Sequence, residues 1–247
     1  MSNDLILVKI GGKILEKRVD LDSTISQLKV LIEKKIFRKI IIIPGGGSLA
    51  NFIRGLDDKL KIGDDLAHWA AIYAMDYNGI ELSKNYSDLE LTNDFIRLQN
   101  RLIEKSNRFI IIFLPFNFLH QNDELPHRWE VTSDSITLHL ACKLNLKECF
   151  LIKDVDGIYI KDQSDVIQEI STKEYRNLEK HGKLAEIQTN IVNFKRSKPI
   201  DNYMLTLIGK YEITCVILNG TASKSRILNF FTASNQSNKA YTKIKHT

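Results

Sequence analysis

The sequence has little of what builds disulfide scaffolds, linkers or membrane spans. Its 3 cysteines, Cys142, Cys149 and Cys215, cannot all pair, and none belongs to a C-x-x-C. That excludes a secreted disulfide framework and leads to the expectation of reduced, buried thiols in a cytoplasmic protein. Only 4 prolines occur, and no Gly/Ser/Pro-rich linker or internal repeat interrupts residues 1–231. A repeat array is thereby excluded. The longest apolar run, residues 109–116, falls far short of the ~20 residues that cross a bilayer, so no membrane partner is expected. The opening MSNDLILVKIGGK carries an acid and a very short apolar stretch, unlike a secretory signal.

What is present is a globular balance. The 247 residues are 43% hydrophobic and 26% charged, compatible with one α/β domain. The formal charge of +5 owes much to residues 233–247, which hold Lys239, Lys243 and Lys245 and no acid. With no basic, aromatic-interleaved stripe, no nucleic-acid partner is expected. Residues 233–247 also lose hydrophobic periodicity, and a flexible polar tail is expected there.

Short β-branched runs alternate with longer helical patterns. Strands are expected at 5–10 (LILVKI), 39–43 (KIIII), 108–114, 148–152 and 213–218. Helices are expected at 21–35, 48–55, 64–84, 92–105, 133–144, 173–180 and 200–210. A run such as KIIII, apolar at successive positions, suits a parallel sheet covered on both faces. The expected fold is α/β, a three-layer αβα sandwich with a mainly parallel central sheet, forming one domain over 1–232. The most loop-like interior segment, 117–128, separates a half of about 1–120 from a half of about 121–232.

Ligands of open α/β sheets bind beyond the carboxyl ends of the strands, and three loop signals fall there. The first strand runs into Gly11-Gly12, the second into Pro44-Gly45-Gly46-Gly47, and the fourth into Lys153-Asp154-Val155-Asp156-Gly157. Glycines let backbone N–H groups approach a phosphate, and a helix N-terminus after the triple glycine favours an anion. Lys9, inside an apolar strand just before glycines, reads as a lysine with a phosphate partner, or as an edge lysine that snorkels out of the sheet. In Thr132-Ser133-Asp134, Ser133 or Asp134 reads as a helix N-cap, or Asp134 as a buried anion orienting Lys9 or a neighbouring lysine. Asp154 and Asp156 read as turn residues, ribose acceptors or Mg²⁺ supports. No Gly-Lys-Ser/Thr follows a glycine loop, so there is no Walker A motif. Residues 45–50 satisfy a loose GxGxxA. The acid that a dinucleotide site needs about 20 residues on, ending a strand, is absent, since Asp64 and Asp65 open a helix. A hydride-transfer enzyme is therefore not expected. The histidines, including His120 and His127, lack a metal-ligand spacing, and no metal site is assigned.

Taken together, Val8-Lys9-Ile10-Gly11-Gly12-Lys13, Ile43-Pro44-Gly45-Gly46-Gly47-Ser48, Thr132-Ser133-Asp134 and Asp154-Val155-Asp156-Gly157-Ile158-Tyr159 resemble the amino acid kinase superfamily. Their order and spacing cover about residues 5–220. The resemblance implies ATP and Mg²⁺, with the nucleotide bound mainly by the C-terminal half. The nucleotide contacts it implies are Gly11, Gly12, Lys153, Asp154, Asp156, Gly157 and Tyr159. It implies a small phosphorylated or carboxylated acceptor on the N-terminal half, held by Gly45, Gly46, Gly47, Asn51, Arg54 and His68. Lys9 and Asp134 would be catalytic, and a homo-oligomer, dimer or hexamer, would be the partner state.

Residues 66–76, 44–54 and 200–204 are similar to the archaeal branch that contains aminomethylfuran phosphate kinase of methanofuran biosynthesis. Isopentenyl phosphate and uridylate kinase-like activities are the alternatives. Asn51 stands where the former carry a histidine, and Arg54-Gly55 follows later than the Arg-Gly of the latter. Molybdenum storage proteins are similar in the same stretches, so a non-catalytic nucleotide- or oxyanion-binding protein is the alternative of another class. Many superfamily members carry a late Gly-Gly-Met-x-x-Lys whose lysine contacts the transferring phosphate. That segment is absent here, which leaves Lys153, Lys183, Lys195, Arg196 and Lys198 as candidates for its role.

Overall fold

The apolar runs pair side by side in the computed structural model, which describes residues 4–104, 107–185, 198–234 and 239–246. In chain order the elements are β1 (Leu5–Ile10), α1 (Gly12–Leu15), α2 (Arg18–Glu33), β2 (Lys39–Pro44), α3 (Gly47–Leu60) and α4 (Asp64–Asn85). Next come β3 (Glu90–Thr92), α5 (Phe95–Ile103), β4 (Phe109–Phe113), α6 (Phe116–Gln121), α7 (Ser133–Lys143) and β5 (Glu148–Lys153). The chain continues through β6 (Ile158–Tyr159), β7 (Val166–Ile167), β8 (Glu169–Ser171), α8 (Thr172–Lys180), α9 (Asn202–Tyr211), β9 (Thr214–Asn219), α10 (Arg226–Thr232) and β10 (Thr242–Lys245).

Eight strands form one sheet in the order β3-β4-β2-β1-β5-β9-β10-β8, and β6 with β7 makes a small separate ribbon. Neighbours in the large sheet run parallel except β9 and β10. Side chains of a strand alternate faces, and both faces here are covered. Ile40 and Ile42 of β2 pack with Leu21, Ile25 and Leu28 of α2 and Ile227 of α10. Ile41 and Ile43 pack with Ile72 and Met75 of α4, Ile136 and Leu140 of α7, and Ile208 of α9. Each such isoleucine, fully buried, contributes about 1.5–3 kcal/mol. The result is the expected helix–sheet–helix sandwich.

The structure corrects the sequence reading in three places. Residues 242–245 of the expected tail form β10, paired antiparallel to β9 and parallel to β8. Thr242 and Ile244 are fully buried there, while Lys243 and Lys245 pair with Glu148 and Glu169. Four alternating residues carrying two lysines are too short and too polar to declare a strand. Within the loop-like segment 117–128, α6 forms because Phe118 and Leu119 bury themselves and Asp76 accepts the Phe116 N–H at 3.1 Å. Lastly, residues 90–92 are an edge strand, and the helix expected from 92 begins at Phe95, capped by Asp94 accepting from Arg97 N–H. Lys105, its expected end, lies outside the described residues. Cys149 and Cys215 are buried, Cys142 is half-buried, and all three are free. Among the described residues no helix is long and apolar enough to cross a membrane.

Candidate active site

Parallel strands deliver their following loops to one rim, and at that rim β1, β2 and β5 open onto a cleft of about 980 Å³. Lys9 lies one residue from the end of β1, in register with Ile43 of β2 and Leu151 of β5. Lys153 ends β5, and Asp134 sits in the first turn of α7. Lys9 Nζ donates to Asp134 Oδ1 at 2.9 Å, and Lys153 Nζ donates to Asp134 Oδ2 at 2.6 Å. The three side chains are 7%, 14% and 5% exposed in the order Lys9, Lys153, Asp134.

One carboxylate thus serves two ammonium groups. Burial alone would raise the Asp134 carboxyl, but Lys153 and Lys9 outweigh it and hold the group at about 2. Lys9 is pushed below the ordinary lysine range by burial, with Lys153 adding to the effect and Asp134 offsetting only part of it. The anion is thus oversupplied with cations, while each buried cation has only half an anion to offset its burial. An incoming anion with several charged oxygens would complete the neutralisation.

Thr132, rather than Ser133 or Asp134, is the N-cap of α7, its hydroxyl accepting the Asp134 N–H at 3.3 Å. The Asp134 carboxylate is thereby left for the lysines. Asp201, the N-cap of α9, ties the two helix starts together. It accepts from the Thr132 N–H and hydroxyl, the Ser135 N–H and hydroxyl, and the Met204 N–H at 2.5–3.1 Å. Burial and the charge of Asp134 push its carboxyl up, opposed by those donors.

The two glycine loops touch through bare backbone. A Cβ on Gly12 would overlap the Cα and N of Gly47. Two of the N–H groups expected to face a phosphate are spent within the sheet rim: Gly11 N–H donates to the Ile152 carbonyl at 2.8 Å and Gly45 N–H to the Ile10 carbonyl at 2.9 Å. Gly12 and Gly47 instead open α1 and α3, where helix geometry supplies no intrahelical acceptor. At the start of α3 the Ser48 N–H donates to the Glu16 carboxylate. An anion of the chain's own therefore already sits at this helix N-terminus.

Lys9, Gly11, Gly12, Gly46, Gly47, Asn51, Arg54, His68, Asp134, Lys153 and Asp154 all line the cleft, whereas Gly45, Asp156, Gly157 and Tyr159 lie outside its lining. Asp154 accepts from Lys13 Nζ at 2.9 Å. Asp156 accepts from Asn219 Nδ2 at 3.0 Å, Lys224 Nζ at 2.8 Å and Arg226 Nε at 3.1 Å. A Cβ on Gly157 would overlap Thr242 of β10 and Val166, and Tyr159 belongs to the β6–β7 ribbon. These three residues shape the turn behind the rim. Of the candidates for a late lysine, Lys153 meets Asp134 as described. Lys198 lines the cleft but donates to Glu179 at 2.6 Å and Asn202 at 3.3 Å. Lys183 is outside the cleft lining, and Lys195 and Arg196 lie outside the described residues.

Sequence reasoning gave no site role to Lys13, Glu16, Trp129, His127, Lys224 or Arg226. Lys13 follows the first glycine pair directly and could have been found there. No spacing connects the others to the motifs. The Arg54 guanidinium lies 4.7 Å over the Trp129 ring, Trp129 Nε1 donates to Asp57 at 2.8 Å, and Arg54 Nε is buried without a partner. Among the described residues no group of three His, Cys, Asp or Glu is placed to hold a metal ion.

The profile of the amino acid kinase family matches residues 4–219. The chain is 30% identical over 214 residues, 87% of each chain, to (5-(aminomethyl)furan-3-yl)methyl phosphate kinase of Methanocaldococcus jannaschii. It is 30% identical over 98 residues, 39% of this chain and 37% of the other, to acetylglutamate kinase of Listeria monocytogenes serotype 4a (strain HCC23). The fold is similar to that of UMP kinase from Ureaplasma parvum, with a TM-score of 0.66 at 17% identity, covering 99% of this chain and 100% of that one.

Proposed function

The chain belongs to the amino acid kinase family and is a kinase, and from that premise we propose that it transfers the γ-phosphoryl group of ATP to a small phosphorylated or carboxylated acceptor. The observation that carries this reading is Asp134 bridging Lys9 and Lys153 on the cleft floor. Phosphoryl transfer asks for positioning and charge neutralisation rather than covalent help. Lys9 and Lys153 face the equatorial oxygens of the moving group, and Asp134 keeps both aimed. The N–H group of Gly12, opening α1, supplies a further positive end. The bond from the γ-phosphorus to the bridging oxygen breaks, ADP leaves with the electron pair, and an acceptor oxygen forms the new bond. A phosphate acceptor is already anionic near neutral pH and needs no strong general base. Lys153 takes the part for which no late lysine segment exists.

Nucleotide phosphates fit a floor with surplus positive charge and two glycine loops. For Mg²⁺ the carboxylates do not fit, since Asp134 and Asp154 are both engaged by lysines. The ion would enter on the phosphates of ATP, adding charge neutralisation. The acceptor side is the wall of Asn51, Arg54 and His68, with Trp129 beside Arg54. Identity to the M. jannaschii enzyme over most of both chains supports an acceptor like the furan phosphate of its name. Exposed Phe52, Leu60, Leu66, Tyr73 and Tyr77 on α3 and α4 support self-association, which sedimentation velocity tests.

The deciding experiment offers radiolabelled ATP with (5-(aminomethyl)furan-3-yl)methyl phosphate, isopentenyl phosphate, UMP and acetylglutamate. Label is expected in the furan diphosphate product. Preference for another acceptor replaces that assignment, and ATP binding without transfer to any of the four leaves the binding-protein reading.

A further inference from the structure

We propose that His127 is a positioning residue for the acceptor side of the cleft: held as an imidazolium between two carboxylates and stacked on His68, it straps the segment bearing Arg128, Trp129 and Glu130 to the start of α4. The inference rests on the reading above that this wall receives the acceptor. His127 Nδ1 lies 2.6 Å from Asp65 Oδ1 and Nε2 lies 2.8 Å from Asp123 Oδ1. A neutral imidazole has one N–H and one lone pair, so one carboxylate would face the lone pair. Only the doubly protonated ring donates to both. The ring also stacks on His68 at 4.4 Å with 19° between planes, and Trp69 meets it edge-on at 5.1 Å. His68 and the segment from Arg128 to Glu130 line the cleft, so the strap and the wall are one object.

The charges around His127 come from every side of this packing. Helix α4 contributes Asp65 and His68, and the segment itself contributes Asp123. Arg128 turns away to Glu130 at 3.5 Å and to the Tyr203 ring at 5.7 Å. His120 of α6 reaches Trp69 at 5.0 Å. Burial alone would lower His127, but its hydrogen bonds to Asp65 and Asp123 outweigh that and raise it. Burial, with the neighbouring His127 charge, lowers His68 to about 4. Of the stacked pair it is therefore His127, not His68, that takes up the extra proton first as pH falls. The sign follows: the strap is complete below 6.5 and loosens as pH rises through the raised value. Asp65 and Asp123 are 86% and 51% exposed, so the strap adjusts the wall without holding the fold together.

The 2 tryptophans of the chain, Trp69 and Trp129, both lie at this strap, so the intrinsic fluorescence of the full protein reads it without any substrate. Emission against pH should show a transition with its midpoint above 6.5. His127→Gln should abolish it, Asp65→Asn and Asp123→Asn should each move it to lower pH, and His120→Gln should leave it in place. In turnover assays His127→Gln should raise the acceptor KM roughly five-fold with kcat and the ATP KM unchanged. The wild-type acceptor KM should rise over the same pH range as the fluorescence change. A transition that survives His127→Gln, or ignores both Asn variants, overturns the strap. An unchanged acceptor KM in His127→Gln overturns the positioning role. If the titration behaves as described and none of the four acceptors turns over, the acceptor reading fails and the strap stands.

Discussion

Two aspartates near the same sheet rim each hold two cations, and they are built differently. Asp134 draws Lys9 and Lys153 from adjacent strands into a pocket where all three side chains are at most 14% exposed. Asp156 draws Lys224 and Arg226 from the loop after β9 and the start of α10, and those side chains are 43% and 27% exposed. Charge count alone does not separate the two sites. Solvent does: water reaches the cations of the second cluster, which holds a loop, while the first keeps its excess charge unscreened.

Asp134→Asn should break the contrast most severely. It leaves two buried ammonium groups facing each other without an anion, and loss of one partner from a buried ion network costs about 3–5 kcal/mol. A large fall in thermal midpoint together with lost turnover is expected, and a variant as stable as wild type would contradict the shared-anion description. Lys9→Met should separate chemistry from folding, because Lys153 still satisfies Asp134. Turnover should drop by about 10²–10³-fold with the circular dichroism spectrum intact; near-normal turnover would remove Lys9 from the mechanism. The second cluster should respond less. Asp156→Asn should cost about 1 kcal/mol, read by urea unfolding, with turnover affected less than in Lys9→Met.

The smallest effect is in acid. The stability that Asp134 contributes is complete above pH 3.8 and is lost as pH falls towards about 2, because its folded pKa is depressed. Unfolding followed between pH 5 and 2 should keep this contribution longer than an ordinary carboxylate would allow. In Asp134→Asn that part of the acid limb should be missing.

The sheet was legible because β2 and β4 are buried along their length and β1 and β5 over most of it, so that each reads as a short, largely apolar run. The glycine loops and Lys9 were legible for a related reason: a charge inside such a run needs a partner. What escaped depends on the chain folding back on itself. Lys153 and Asp134 are 19 residues apart, and only the register of β5 beside β1 brings Lys9 to both. The same holds for His127, from the segment that composition marks as loop, against His68, and for Trp129, just beyond that segment, under Arg54. The N–H groups of Gly11 and Gly45 show the converse error. Glycine permits a phosphate cradle, but the neighbouring carbonyls decide whether the N–H is still free to join it.

Strand β10 carries a practical consequence for anyone handling this protein. Shortening the chain ahead of residue 241 would leave the β9 edge bare along Cys215, Val216 and Ile217, residues now fully buried. An uncovered apolar edge is a template for other chains. A truncation chosen because the region looks dispensable would be expected to shift the product towards insoluble material, and a bulky fusion there would press on the turn that Gly157 packs beneath Thr242.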